Sequence, residues 1–234
     1  MIIASLPHPV PNETAEYRTA RNKLLQMEAD LRDQVASLAR ARAALPPGGE
    51  VTEDYTFTAM QDGKIVEQAM SGLFGDHDSL MIYSFMYGPD DKSPCPMCTS
   101  FLDSLNGAAH HIEQRTALAI VASAPIGTSA AFADQRGWNQ LQMISSSGNA
   151  YNRDYFGESP EGEQLPICNV FQKRRDKIHH FWSSELFFAK VDGQPRHVDT
   201  IWPLWNVFDL LPQGRGTDWY PAIDYTGPGN RETK

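Results

Sequence analysis

The chain has 234 residues, of which 41% are hydrophobic and 21% are charged, as in an ordinary soluble globular protein. A formal net charge of −9 argues against a nucleic-acid-binding protein, which needs a basic face. No apolar run approaches the roughly 18 residues of a membrane span, and the proline-broken stretch Met1 to Pro11 lacks the basic region of a secretory signal. Three cysteines do not make a disulfide scaffold, so the expected location is the reducing cytoplasm.

A long N-terminal helix is predicted from a cap at Asn12 or Thr14 to about Ala44, before the helix-breaking segment Pro46 to Gly49. Apolar or aromatic residues recur along it at intervals of seven: Tyr17, Leu24, Leu31, Leu38 and Leu45. The stripe is too thin to predict a coiled coil, because most heptad positions between these residues are charged. We therefore favour residues 1–49 as a helical arm lying across its own domain, and the alternative is a homodimer formed through this helix.

A hairpin followed by a buried strand and a helix is predicted next. Segments 54–58 and 64–67 flank Gln61-Asp62-Gly63, where the D-G pair favours a tight turn. After a short connector, the nearly unbroken apolar run Leu80 to Tyr87 predicts a strand buried on both faces. Thr99 to Gln114 predicts a helix, with core residues at three- and four-residue spacing: Phe101, Leu105, Ala108 and Ile112.

Two thiols, in Cys95-Pro96-Met97-Cys98, lie between this strand and this helix. The arrangement is the local context of a dithiol redox site. Backbone N–H groups and the dipole at a helix N-terminus stabilise a thiolate, which favours Cys95 as the attacking thiol. Cys98, about one turn on, is close enough to resolve a mixed disulfide. Pro96 suits the first helical turn, where its missing N–H costs nothing.

Other interpretations of the two cysteines stay open. A zinc site needs two more ligands at matching spacing, whereas Cys168 stands alone and His110 and His111 lie too far along the following helix. A structural disulfide or two inert thiols also fit the spacing. No metal and no organic cofactor are predicted.

The second half of the chain continues with alternating strands and helices. Thr116 to Ser123 predicts a buried strand, Pro125 to Gly137 a short helix, and Leu141 to Ser145 a weak strand. The polar stretch 146–163 is predicted to be a loop. Segments 167–172 and 177–182 predict a second hairpin.

This order of elements predicts an α/β, thioredoxin-like fold over residues 50–190, with a central mixed β-sheet flanked by helices. The strand-helix-strand connection implies a parallel central pair, and the last hairpin adds an antiparallel edge. Thioredoxin-like domains carry a cis-proline before that hairpin, facing the dithiol. Pro166 stands at this place, so the Leu165–Pro166 bond is predicted to be cis.

Beyond about Val191 the chain is rich in prolines and in aromatic residues, among them Trp202, Trp205, Phe208, Trp219 and Tyr220. Buried aromatic residues mostly belong to hydrophobic cores. Residues 191–234 are therefore predicted to be an extension packed on the domain, and the alternative is an aromatic lid near the cysteines.

Several segments in combination resemble a known family: Tyr83 to Asp90, Cys95 to Cys98, Phe101 to Gly107, Val121 to Pro125 and Asp209 to Arg215. They are similar to the bacterial thioredoxin-like proteins of domain-of-unknown-function family 899, which are predicted dithiol-disulfide oxidoreductases. The resemblance covers most of the chain and implies a thioredoxin-like fold and a thiol redox role. One departure is Cys168, where the family more usually has a small residue; it is either an auxiliary thiol or, as we favour, an inert buried residue.

The predicted function is a cytoplasmic thiol-disulfide oxidoreductase whose partners are protein or small-molecule thiols and disulfides. Cys95 and Cys98 are its catalytic residues, and Pro96 and Pro166 line the substrate groove. Peroxidase activity ranks lower, because peroxiredoxins carry threonine or serine three residues before the reactive cysteine, and Lys92 stands there. The alternative is a non-enzymatic thioredoxin-like binding module or redox sensor.

Overall fold

The computed structural model describes residues 10–189, 191–193 and 195–225, which divide into two compact units between Pro46 and Pro47. The first unit is dominated by the long helix α1 (Ala15–Ala43), as predicted. The Oγ1 of its cap residue Thr14 accepts a hydrogen bond from the Tyr17 N–H at 3.1 Å. The five stripe residues spaced at sevens are all between 40% and 60% exposed. Dimerisation through this stripe stays a prediction.

The second unit begins with the predicted hairpin, formed by β1 (Thr56–Gln61) and β2 (Lys64–Ala69), followed by the one-turn helix α2 (Met70–Leu73). Asp62 and Gly63 connect the strands with φ angles of 50° and 72°. Two consecutive positive φ angles are the geometry of a type I′ turn, which matches the twist of paired strands. The D-G pair therefore sets the register of this hairpin.

Seven strands form one mixed sheet in the order β2-β1-β5-β4-β3-β6-β7. The remaining strands are β3 (Ser79–Ser84), β4 (Ala117–Ala122), β5 (Met143–Ser145), β6 (Cys168–Arg174) and β7 (Lys177–Ser183). β3 pairs in parallel with β4, and β4 pairs in parallel with β5. On its other side β3 pairs antiparallel with β6, which pairs antiparallel with β7. The predicted parallel centre and antiparallel hairpin are confirmed.

Helices α3 (Pro96–Ile112) and α4 (Ile126–Arg136) connect the three parallel strands. α3 begins at Pro96, earlier than the predicted Thr99, so the second cysteine lies within the helix. The predicted loop 146–163 contains one turn of helix, α5 (Tyr151–Asp154), because Tyr151 is completely buried there. A 3-10 turn (Glu185–Phe188) and α6 (Pro203–Asp209) follow β7. Among the described residues, the helices are too short or too polar to cross a membrane.

Alternate residues of the central strands contribute to two hydrophobic clusters, as the two-residue period of a strand requires. Tyr83 and Ile120 belong to the cluster that contains α3 residues, whereas Ile82 and Val121 belong to the other, with Tyr151. All six residues of β4 are buried. Burial of each Val, Leu or Ile side chain contributes about 1.5–3 kcal/mol to folding. The sheet is thus covered on both faces, and the chain has a thioredoxin-like fold.

The C-terminal residues contribute to the cluster around α3. Trp202 and Trp205 are buried in it, and the Trp202 ring centroid lies 6.0 Å from that of Phe101. The same compact unit therefore contains the sheet and the described residues from 191 onward. The division of the chain into residues 1–49, 50–190 and 191–234 stays a prediction.

Candidate functional site: two thiols at the start of helix α3

Cys95 is held at the carboxyl end of β3 by a loop that closes on itself. The chain continues from β3 through Phe85 to Tyr87, turns, and returns so that the Cys95 N–H donates to the Met86 carbonyl at 3.0 Å. Cys95 is the N-cap of α3, with extended backbone angles, and Pro96 is the first residue of the helix. A proline fits there because the first N–H groups of a helix have no partner within it.

Cys98 lies in the first turn of α3 and points into the core. It is 1% exposed and belongs to the hydrophobic cluster, whereas Cys95 is partly exposed. The Tyr83 hydroxyl, on β3, donates a hydrogen bond to the Cys98 Sγ at 3.3 Å. The Tyr83 ring lies against Phe101, with centroids 4.6 Å apart. Both sulfurs are free thiols, one accessible and one enclosed.

Their surroundings push the pKa values of the two thiols in opposite directions. A hydrogen bond from the Cys98 thiol is the largest cause that lowers the pKa of Cys95 to about 6; burial opposes it. Backbone N–H groups of Cys98 and Met97 and the Tyr220 hydroxyl lower it further. Burial, followed by the neighbouring Cys95, raises the pKa of Cys98 well above its ordinary value. At neutral pH Cys95 is therefore a thiolate and Cys98 a protonated thiol.

Cys168, the first residue of β6, lies directly opposite Tyr83 in the sheet and is fully buried. Its N–H donates to the Ser184 Oγ at 2.9 Å. Burial raises the pKa of its thiol to about 12. A protonated thiol with no access to solvent is a poor nucleophile, so the structure favours the inert role over the auxiliary one.

The prediction of a cis bond at Leu165–Pro166 is wrong, since the described residues contain no cis peptide. Pro166 nevertheless precedes β6 at the expected place, because the Ser84 N–H donates to the Ile167 carbonyl at 2.8 Å. This bond places Pro166 at the carboxyl end of β3, from which the chain leads to Cys95. The pairing of Ile167 with Ser84 forms with the Leu165–Pro166 bond in the trans conformation. Its role, and that of Pro96, in a substrate groove stays a prediction.

The surrounding polar groups fix the loop before Cys95. The Asp91 carboxylate accepts hydrogen bonds from the Gly88 N–H at 2.7 Å and from the Gln164 side chain at 3.1 Å. Lys92, three residues before Cys95, is exposed and brings no hydroxyl to that position.

Over the residues that the structure describes, no three His, Cys, Asp or Glu side chains are grouped so as to hold a metal ion.

Two tyrosines complete the site, and sequence reasoning did not assign either of them a role there. From the sequence, Tyr83 is part of a buried strand and of the family-like segment Tyr83 to Asp90, and neither pattern gives it a role at the dithiol. Tyr220 comes from the aromatic extension, and its hydroxyl lies 3.7 Å from the Cys95 Sγ. The only signal for Tyr220 was the aromatic lid considered as an alternative, because a residue 125 positions away carries no spacing relation to the dithiol.

Comparison with known proteins gives a family and several solved structures of low similarity. A family model described as "Bacterial protein of unknown function (DUF899)" matches residues 7–226. No curated protein matches the chain significantly. Thioredoxin peroxidase I of Plasmodium yoelii is 16% identical, with a TM-score of 0.46 over 76% of this chain and 100% of that chain. Peroxiredoxin Q of Xanthomonas campestris is 13% identical, with a TM-score of 0.45 over 68% of this chain and 96% of that chain. AhpC of Enterococcus faecalis is 14% identical, with a TM-score of 0.45 over 58% and 78%.

Proposed function

This chain belongs to the bacterial family DUF899, whose function is unknown, and we propose that it is a thiol-disulfide oxidoreductase that uses Cys95 and Cys98. One observation carries the proposal. A partly exposed thiol with a lowered pKa stands one helical turn before an enclosed thiol with a raised pKa. This asymmetry assigns a nucleophile and a resolving thiol, because the thiolate is the form that attacks a disulfide.

In the first step the Cys95 thiolate attacks one sulfur of a substrate disulfide. The substrate S–S bond breaks, a Cys95–substrate disulfide forms, and the other sulfur leaves as a thiolate that takes a proton from solvent. In the second step Cys98 gives up its proton to solvent and its sulfur attacks the Cys95 Sγ. The Cys95–substrate bond breaks, and the substrate leaves as a thiolate that takes up a proton and becomes the second thiol. The protein dithiol has then lost two electrons and become a disulfide, and the substrate disulfide has gained them as two thiols.

The surroundings of Cys98 support its role as the resolving thiol. Its thiol stays protonated until attack begins, so it does not repel the Cys95 thiolate in the resting site. The Tyr83 hydroxyl, on β3, donates a hydrogen bond to the Cys98 sulfur, and the backbone of Cys98 is fixed by helix α3. An external thiol reductant returns the pair to the dithiol and closes the cycle. A non-enzymatic binding module needs neither unequal pKa values nor an accessible first thiol.

The proposal is tested by the pH dependence of Cys95 alkylation. Because the thiolate is the reacting form, the rate is expected to rise with pH and to level off, with a midpoint near pH 6. Cys98 and Cys168 are expected to remain unlabelled, since both are buried with raised pKa values. Mass-spectrometric mapping after brief treatment with iodoacetamide, at a series of pH values, measures all three thiols at once.

Two variants at position 98 serve as the matched controls. Cys98→Ala removes the hydrogen-bond donor that contributes most to the lowered pKa of Cys95, so the midpoint is expected to move toward the ordinary value of about 8.5. Cys98→Ser keeps a donor at this place and is expected to shift the midpoint less. A wild-type midpoint near 8.5 argues for the binding module instead, and labelling of Cys98 before Cys95 reverses the roles assigned to the two thiols.

A further inference from the structure

The segment Asp218–Ile223 runs past the dithiol, and we call it the strap. Trp219 anchors its first part on α6. Its ring lies edge-on to Trp205 and Phe208, with centroid distances of 5.6 Å and 5.0 Å. Arg215, just upstream, forms ion pairs with Asp199 and Asp209. The start of the strap is therefore fixed by aromatic packing and by charge.

The end of the strap is fixed by a second anchor, on α3 and α4. The Arg136 Nη1 donates to the Ile223 carbonyl at 2.8 Å. The same guanidinium forms an ion pair with Asp103, whose carboxylate also accepts from the Trp138 indole at 2.8 Å. A strap held at both ends fixes the backbone position of the residue between them.

Tyr220 is that residue, and it lies at the accessible side of Cys95. Its hydroxyl oxygen is 3.7 Å from the Cys95 Sγ, and the following Pro221 is buried, which limits the backbone freedom of the tyrosine. Burial, followed by the hydrogen bond to Cys95, raises the pKa of the Tyr220 hydroxyl, so it stays protonated. The hydroxyl can donate to the thiolate, and the side chain that carries it, 49% exposed, borders the sulfur.

Disulfide exchange needs one substrate sulfur to reach about 3–3.5 Å from the attacking Sγ, in line with the bond that breaks. The enclosed Cys98 and the core occupy the inner side of Cys95, so the substrate must come from the side that Tyr220 borders. A small disulfide can pass beside one ring. A disulfide on a folded protein brings backbone and neighbouring side chains with it, and these meet Tyr220 and the anchored strap.

We propose that Tyr220 is a specificity-determining residue that restricts Cys95 to low-molecular-weight disulfides. This rests on the proposed function, and the chemistry is the same exchange. The Cys95 thiolate forms a disulfide with one half of the small substrate, and the other half leaves as a thiolate. Cys98 then displaces the bound half, and the dithiol supplies both electrons. The restriction comes from the ring of Tyr220, and the hydroxyl adjusts only the ionisation of Cys95.

Three variants separate these contributions. Tyr220→Ala removes ring and hydroxyl, Tyr220→Phe removes the hydroxyl alone, and Leu210→Ala removes an 82% exposed side chain of the same C-terminal extension, outside the strap. Each is treated with iodoacetamide and with a long polyethylene glycol maleimide at a pH where Cys95 is fully ionised in all of them. The measured quantity is the ratio of the bulky to the small reagent's rate at Cys95. Circular dichroism checks that each variant is folded.

The ratio is expected to rise at least about 10-fold in Tyr220→Ala and to stay within about 3-fold of wild type in Tyr220→Phe and Leu210→Ala, because access to a thiol limits its reaction. In turnover, Tyr220→Ala is expected to gain activity on insulin relative to hydroxyethyl disulfide by a similar factor. An unchanged ratio in Tyr220→Ala, or an equal rise in Tyr220→Phe, overturns the proposal. Alkylation of Cys95 requires no turnover, so the two proposals fail separately. Absence of disulfide exchange activity overturns the proposed function, whereas the alkylation ratio alone decides whether Tyr220 restricts access to Cys95.

Discussion

Replacing Cys95 with serine is expected to lower disulfide reductase activity by at least about 1,000-fold, to the background rate, because the first covalent bond can no longer form. A serine hydroxyl is not ionised at neutral pH and does not attack a disulfide sulfur. Cys95 is partly exposed at the edge of the hydrophobic cluster and caps the helix without a side-chain hydrogen bond, so the nearly isosteric substitution is expected to disturb the core little. Turnover with hydroxyethyl disulfide and an external thiol reductant measures the effect.

Cys168→Ala is the matched control for this loss. It removes the other buried thiol, which lies outside the exchange reaction, and is expected to retain activity within about 3-fold. Cys168→Ala is expected to lower the free energy of unfolding, because it leaves a small void beside Tyr83 in the sheet. If Cys95→Ser keeps its activity while Cys168→Ala loses it, the wrong thiol has been assigned as the nucleophile.

Cys98→Ser is expected to complete the first step and to fail at the second. The resolving thiol acts at the high effective concentration of a group fixed in the same turn of helix, so its loss should lengthen the life of the mixed disulfide by at least about 100-fold. The variant should therefore accumulate a Cys95–substrate adduct that wild type does not. Incubation with a small disulfide, acid quenching and intact-mass measurement detect it as a defined mass increase.

The double variant Cys95→Ser, Cys98→Ser isolates the origin of this adduct. With Cys168 as its remaining cysteine, it is expected to form none, because Cys168 is buried and protonated. An adduct that persists in the double variant would assign the reaction to Cys168. An adduct that is equally long-lived in wild type would show that Cys98 does not resolve it.

Much of the fold follows from local patterns in the sequence. Leu80 to Tyr87 and Thr116 to Ser123 are apolar enough to be buried on both faces, and they became the parallel pair at the centre of the sheet. The D-G pair at Asp62 and Gly63 placed the first hairpin. The position of Cys95 and Cys98 between a strand and a helix could likewise be predicted from the sequence. The preference of Pro96 for the first helical turn and the regular spacing of apolar residues along α3 are both local properties.

The remaining features depend on contacts between distant residues. The bond before Pro166 is trans, and the sequence could not predict this because a proline alone permits either isomer. The short helix α5 exists because Tyr151 is buried under the sheet, in a stretch whose composition is that of a loop. Tyr220 reaches Cys95 only because Arg136 and the α6 aromatics hold the strap, and no local pattern encodes that path.

The thiolate at Cys95 also bears on the redox equilibrium of the pair. A lowered pKa stabilises the dithiol form relative to the disulfide, which raises the reduction potential. Thioredoxin, with a pKa of about 7, has a potential of about −270 mV, and DsbA, with about 3.5, has about −120 mV. With a pKa of about 6 at Cys95, the same relation predicts a potential between these two values, nearer to that of thioredoxin.

The measurement that tests the central claim most directly is the equilibrium reduction potential of Cys95 and Cys98. The protein is equilibrated in a series of glutathione redox buffers at pH 7, acid-quenched, and mapped for the Cys95–Cys98 disulfide. We expect one two-electron transition near about −230 mV, by interpolation between thioredoxin and DsbA. No Cys95–Cys98 disulfide at any buffer ratio, or one that stays oxidised below about −300 mV like a structural bond, would contradict the account.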